Sequence, residues 1–117
     1  MIKKANEQAA EVRENMRGGS GAITIRHFFK KDEFQAPIRL CAELLIPAGG
    51  SIGLHEHAEE DEVYIITEGE GLLNDGKTET PVTAGDAILT GQGGKHSISN
   101  TGKIDLSIIA VIALYNK

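Results

Sequence analysis

From Ala22 onward the chain alternates apolar and polar residues over short stretches, and a two-residue period marks half-buried β-strands. Ile23 to Phe29, Ile38 to Ile46, Glu62 to Glu68, Lys95 to Ser99 and Ile104 to Tyr115 are rich in β-branched, aromatic or alternating residues. Each is predicted as a strand. Turn clusters fall between them at Pro47-Ala48-Gly49-Gly50, Glu68-Gly69-Glu70-Gly71, Ala84-Gly85-Asp86 and Gly91-Gln92-Gly93-Gly94. Asn74-Asp75-Gly76, set between Leu72-Leu73 and Lys77-Thr78, is a hairpin signal, since these residue types tolerate the positive φ of a tight turn. Turn signals this closely spaced belong to a sandwich or barrel. The expected class is all-β.

Residues 2–16 read differently. They hold good helix formers, and Ile2, Ala5, Ala9, Val12 and Met16 fall three or four apart in one weak apolar stripe. A short N-terminal helix or an ordered arm is expected over residues 1–21, ended by Arg17-Gly18-Gly19-Ser20-Gly21, with the β-domain over residues 22–117.

Composition narrows the function classes. A chain of 117 residues supports one domain. The fourteen glycines suit many tight turns. The net charge of −5 argues against nucleic acid as a partner, because phosphate binding needs a basic surface. No apolar run approaches the roughly 18 residues of a membrane span, so no membrane association is expected. A lone cysteine, Cys41, allows no internal disulfide and fits a cytoplasmic setting.

The candidate chemistry lies in the histidines. His55 and His57 are two apart, so on a strand both rings leave the same face, a spacing suited to chelation. Alone, such a pair is equally at home on a wet strand face. Glu62 can add a carboxylate to a mixed nitrogen and oxygen set, and His96 lies on a separate predicted strand. Glu59, Glu60 and Asp61 read as a solvated acidic loop, and His27 as an edge histidine. Tyr64 shares the parity of Glu62, so its ring faces the same cavity, either to fill it or to donate to a ligand. Cys41 reads as a small packed residue. Arg17 and Arg39 are the cations that could grip a carboxylate, although for Arg39 a surface ion pair with Glu43 is the simpler expectation.

Gly49, His55, His57, Glu62 and Gly69 match G-x5-H-x-H-x4-E-x6-G at every fixed position. Gly85, Gly93, His96 and Asn100 match G-x5-P-x-G-x2-H-x3-N, with Gly91 in place of the proline. These are the two motifs of the cupin family, and the sequence resembles its small single-domain members, in particular the oxalate decarboxylase-like group. The resemblance implies a cupin-type jelly-roll β-barrel with its site inside the mouth. It also implies one divalent transition metal ion (Mn, Fe, Zn or Ni) held by His55, His57, Glu62 and His96, and a homodimer. Ile52 stands where oxalate decarboxylases carry a substrate-binding arginine. A divalent ion with one carboxylate leaves a net positive site, which favours an anionic or oxygen-rich small-molecule ligand. Two functions are expected from this: a metal-dependent enzyme acting on a small acid, sugar or diketone (a decarboxylase, dioxygenase or isomerase), or a non-catalytic binding or sensor module for such a metabolite.

Overall fold

The computed structural model describes residues 1–116. Ten strands build two antiparallel sheets. They are β1 (Ala10–Glu14), β2 (Ala22–His27), β3 (Ile38–Ile46), β4 (Ser51–Glu56), β5 (Glu60–Glu68), β6 (Glu70–Asn74), β7 (Glu79–Thr83), β8 (Ala87–Thr90), β9 (Lys95–Asn100) and β10 (Leu106–Leu114). The larger sheet has the order β1-β2-β3-β10-β5-β8 and the smaller β4-β9-β6-β7. The two face each other as a jelly roll, the all-β architecture expected.

The core forms where the inward residues of both sheets meet. Ala42, Leu44 and Ile46 of β3 alternate with Ile108 and Ala110 of β10 and with Tyr64 and Ile66 of β5, against Ile52 and Ile98 of the smaller sheet. Burying each large aliphatic side chain contributes about 1.5–3 kcal/mol, so this row supplies most of the drive for closing the sheets on each other. Asn74-Asp75-Gly76 forms the β6–β7 turn, where Asn74 Oδ1 accepts from Gly76 N at 2.7 Å and Asp75 Oδ1 from Thr78 N at 2.7 Å. Asn100 satisfies loop backbone, donating to the Ile46 and Ile104 carbonyls at 2.8 Å each.

Near the N-terminus no α-helix forms. Residues 5–7 and 16–18 make single 3-10 turns, and Ala10–Glu14 is a strand paired with β2 from Ala10↔Arg26 to Glu14↔Ala22. Helix propensity is a weak preference, and here five residues of ladder hydrogen bonds to an open sheet edge outweigh it. The apolar stripe drawn on a helix is split: Met16 packs against the core, while Val12 is 64% exposed.

Two irregularities aim side chains at the mouth of the barrel. Between β4 and β9, Ile52 pairs with Ile98 and His55 with His96, so Gly53 and Leu54 oppose Ser97 alone. This bulge resets the parity of β4, so Ile52 packs in the core and His55, three residues on, also faces inward. On β3, Leu40 pairs with Ile112 and Ile38 with Ala113, which leaves Arg39 as the extra residue of a second bulge.

Candidate metal centre

His55 and His96 are direct partners across the β4–β9 ladder, His57 follows just after β4, and Glu62 enters from β5 in the opposite sheet. Backbone bonds to the 91–94 turn hold His57: its N–H donates to Gly94 O at 2.9 Å and its carbonyl accepts from Gly93 N at 3.0 Å. The four side chains expected as ligands meet at one point, their ligand atoms all within 4.8 Å of one another.

Each ring is turned by a bond at its outer nitrogen. His55 Nδ1–H donates to Gly53 O at 2.7 Å and His57 Nδ1–H to Glu60 Oε2 at 2.5 Å. Both partners only accept, so the proton sits on Nδ1 and the Nε2 lone pair faces inward. His96 Nδ1 is paired with Thr90 Oγ1 at 2.9 Å, and Tyr64 stacks on its ring at 4.8 Å with 19° between planes. Inside, His57 Nε2 lies 2.9 Å from His96 Nε2, which lies 3.2 Å from His55 Nε2. Glu62 Oε1 is 2.8 Å from His57 Nε2 and 3.0 Å from His96 Nε2, yet neither pair is aligned as a hydrogen bond, and this oxygen is buried without a partner.

The Glu62 oxygen and the inward lone pairs of His55 and His57, joined by His96 Nε2 when Thr90 donates to its Nδ1, repel one another in a buried pocket unless a cation sits among them. Donors held about 2.0–2.1 Å from one ion and at right angles lie about 2.9 Å apart, and four of the pairs here are separated by 2.8, 2.9, 3.0 and 3.2 Å. Residues and geometry therefore fit a divalent transition metal, and imidazole nitrogen with one carboxylate oxygen is a donor set that suits several of them.

The surrounding charges are tuned to one another. Burial pushes the His55 imidazole below its ordinary value. The Glu62 carboxylate 2.8 Å away, reinforced by Glu60, raises that of His57 against the opposing effect of burial. For Glu62, burial alone would raise the carboxyl, but His57 and His96 together hold it low. Burial raises the Tyr64 phenol well above its usual range, so it stays protonated.

Three expectations need correction. Glu60 is not solvated: it is 8% exposed and ties His57 to Arg39, which donates from Nε at 3.0 Å and from Nη2 at 2.8 Å. It starts β5 on the same inward face as Glu62 and Tyr64, and the period-two rule extended two residues backward would have found it. Arg39 does not pair with Glu43. Residues four apart on a strand are too far separated, and Glu43 instead meets its cross-strand partner Arg26 at 2.7 Å while the bulge frees Arg39 to reach Glu60. Asp61 is likewise engaged, accepting from Tyr115 OH at 2.6 Å. His27 does sit near an edge, on β2 beside the edge strand β1, but it has a partner: Nε2 meets Glu11 Oε2 at 2.8 Å.

The ligand cluster opens into a cavity of about 160 Å³ whose wall includes Leu40, Leu44, Tyr64 and Ile112 and whose rim carries Arg13, Arg17, Arg39 and His27. Drug-sized ligands occupy roughly 300–1,000 Å³, so this space suits a molecule of a few heavy atoms. Ile52, in the core at 1% exposure, offers no cation there.

Residues 42–112 match the cupin domain family. An oxalate-binding protein from Thermotoga maritima is 41% identical over 114 residues, 97% of this chain and 94% of the relative. An uncharacterised protein from Methanocaldococcus jannaschii is 31% identical over 85 residues, 73% of this chain and 68% of its own length. The crystal structure of a predicted oxalate decarboxylase from Thermotoga maritima superposes with a TM-score of 0.92 at 41% identity, covering 97% of this chain and 99% of that one. Near-full-length identity, a matched domain and a common fold place this chain in the cupin family.

Proposed function

We propose that this cupin binds a divalent transition metal through His55, His57, Glu62 and His96 and, at that centre, a small chelating dicarboxylate of the oxalate class. The observation that carries the reading is the buried convergence of three Nε2 atoms and the partnerless Glu62 oxygen on one point. Such a metal supplies a concentrated positive charge and coordination positions that the protein leaves open. The chain's own residues do the rest. Gly53, Glu60 and Thr90 orient the rings. Tyr64 shields His96, and the aliphatic wall limits ligand size. The 41% identity to an oxalate-binding protein supports the ligand class.

Binding is favoured over turnover by what lines the cavity. Of the titratable side chains lining it besides the ring ligands, Glu62 would be committed to the metal, the Tyr64 phenol is held protonated far above neutrality, and His27 is paired with Glu11 Oε2 at 2.8 Å. A general acid or base would need a pKa near the working pH. The test is calorimetric titration of oxalate into metal-loaded and metal-free protein, with product analysis afterwards. Binding only to the loaded form, with oxalate recovered intact, is the expected result. Carbon dioxide or formate release would replace the binding reading with a decarboxylase, and equal binding without metal would remove the metal from the account.

We further propose a cytoplasmic protein, which the lone Cys41 suits, acting as a homodimer joined through the outer face of the larger sheet. Cys41, Val111, Val63 and Leu89 form one row across four strands of that face, and Ile109, Ile65 and Ala87 the next. Leu89 is 70% exposed there. A sedimentation mass of twice the 12.5 kDa chain is expected, and the single-chain mass at working concentration would contradict the dimer.

A further inference from the structure

Three guanidinium groups stand at the cavity mouth, and two are already neutralised. Arg39 is gripped by both oxygens of Glu60, and Arg13 Nε meets Glu11 Oε1 at 2.8 Å. Arg17 has no carboxylate and no hydrogen-bond partner among the described residues. It lines the same cavity as His55, His57 and Glu62. A free cation beside a metal centre works against the metal's own charge, an arrangement that an anion between them would relieve.

The backbone shows that Arg17 is placed there and is not a side chain on a loose arm. Its φ of 55° and ψ of 29° lie in the left-handed region, which a residue with a side chain occupies only where the surroundings impose it. The imposing surface is β4. A methyl group on Gly53 would overlap the Arg17 carbonyl, and one on Gly19 would overlap the carbonyl of Ser51. Ser51 N–H donates to Ser20 O at 2.8 Å, and Ser20 Oγ to Gly49 O at 2.9 Å. The segment carrying Arg17 is thus pressed onto the strand that carries His55.

We propose that Arg17 is the specificity-determining residue of the site, holding one carboxylate of a small dianion bound at the metal centre and so selecting dicarboxylates over monocarboxylates. The proposal rests on the metal-dependent binding argued above. A divalent ion offset by Glu62 and joined by the uncompensated Arg17 leaves two positive charges, since Arg39 and Arg13 are already balanced. A dicarboxylate cancels that charge and a monocarboxylate does not. The planar guanidinium fork also matches a carboxylate edge with two parallel hydrogen bonds, which lysine cannot reproduce.

The test compares oxalate with glycolate, a chelating monoanion of similar size, on manganese-loaded wild-type protein, Arg17→Gln, Arg17→Lys and the remote control Lys77→Gln. Arg17→Gln is expected to lose oxalate affinity by about tenfold to a hundredfold, the worth of a charge-assisted pair. Its glycolate affinity and manganese content should stay as in wild type, with Arg17→Lys intermediate and Lys77→Gln unchanged. Wild-type oxalate affinity in Arg17→Gln would overturn the inference while leaving metal-dependent binding intact. Loss of manganese in that variant would also overturn it, because Arg17 would then act through the fold. A manganese-loaded wild-type protein that ignores oxalate would overturn the underlying reading as well.

Discussion

Glu60 and Arg39 show how the site is built outward from its ligands. The His57 ring is fixed by Glu60, and Glu60 is fixed by a two-pronged grip from Arg39, which holds its carboxyl below the ordinary range. Outer partners of this kind set ring orientation and basicity, and their loss costs about 10- to 100-fold in metal affinity. Glu60→Ala is therefore expected to weaken metal binding by that factor in a competition titration with a coloured chelator. Glu60→Gln keeps an acceptor for His57 Nδ1–H and should fall between Glu60→Ala and wild type. An unchanged affinity in Glu60→Ala would mean that packing alone orients His57. The four clustered side chains were legible in the sequence, because two imidazoles on one strand face, a carboxylate and a third imidazole follow motif spacing. Glu60 was not, because an acidic run gives no sign of which carboxylate turns inward until the start of β5 is known.

Among the elements, the N-terminal segment forms part of the cavity wall through Arg13, Met16 and Arg17. β1 extends the larger sheet, and the turn at residues 16–18 lies against β4 at the edge of the smaller one. Gly53→Ala would force the Arg17 carbonyl away from β4, an overpacking expected to cost about 1–3 kcal/mol in chemical denaturation. Wild-type stability in that variant would show that the turn is not fixed by this contact. Acid should release the same segment. Glu11, bound by His27 and then Arg13, and Glu33, bound by Lys3 and then the Lys30 amide, are both held below the 4.5 of the unfolded chain. Groups lowered in the folded state stabilise it fully above the unfolded value, and that contribution is lost as pH falls below 4.5 through the folded values. Protection against amide exchange at residues 10–14, relative to the intrinsic rate at each pH, should therefore fall in that range before protection in β10 does. Simultaneous loss of protection in both would contradict a separately anchored arm. Local propensity pointed to a helix here because the pairing that decides the outcome is supplied by β2, which residue-by-residue preference does not see.

For the whole molecule, the two-residue period located β3 with its observed ends and β2, β5, β9 and β10 to within a few residues. It gave no strand range for β4, β6, β7 or β8, although the hairpin signal at Asn74-Asp75-Gly76 marked the β6–β7 turn; these strands are four to six residues long, so their alternation is too brief to stand out. The bulges at Gly53-Leu54 and Arg39 were also invisible, since a bulge follows from the register between strands and not from either strand alone. Both bulges serve the centre, one turning His55 inward and the other freeing Arg39. A metal held by the candidate ligands of both sheets should make the fold more stable. At a metal concentration a hundred times the Kd the gain is about 2.7 kcal/mol, seen as a higher Tm for the wild type and absent in His96→Ala. A Tm insensitive to metal would place binding away from this cluster.

The most direct test of the central claim is elemental analysis of protein purified without chelator, beside a variant carrying both His55→Ala and His96→Ala. The account predicts about one transition-metal ion per chain in the wild type and none in the variant, consistent with one cluster of converging donors. A wild-type chain that carries no metal and takes up none on reconstitution, or a variant that keeps it, would contradict the account.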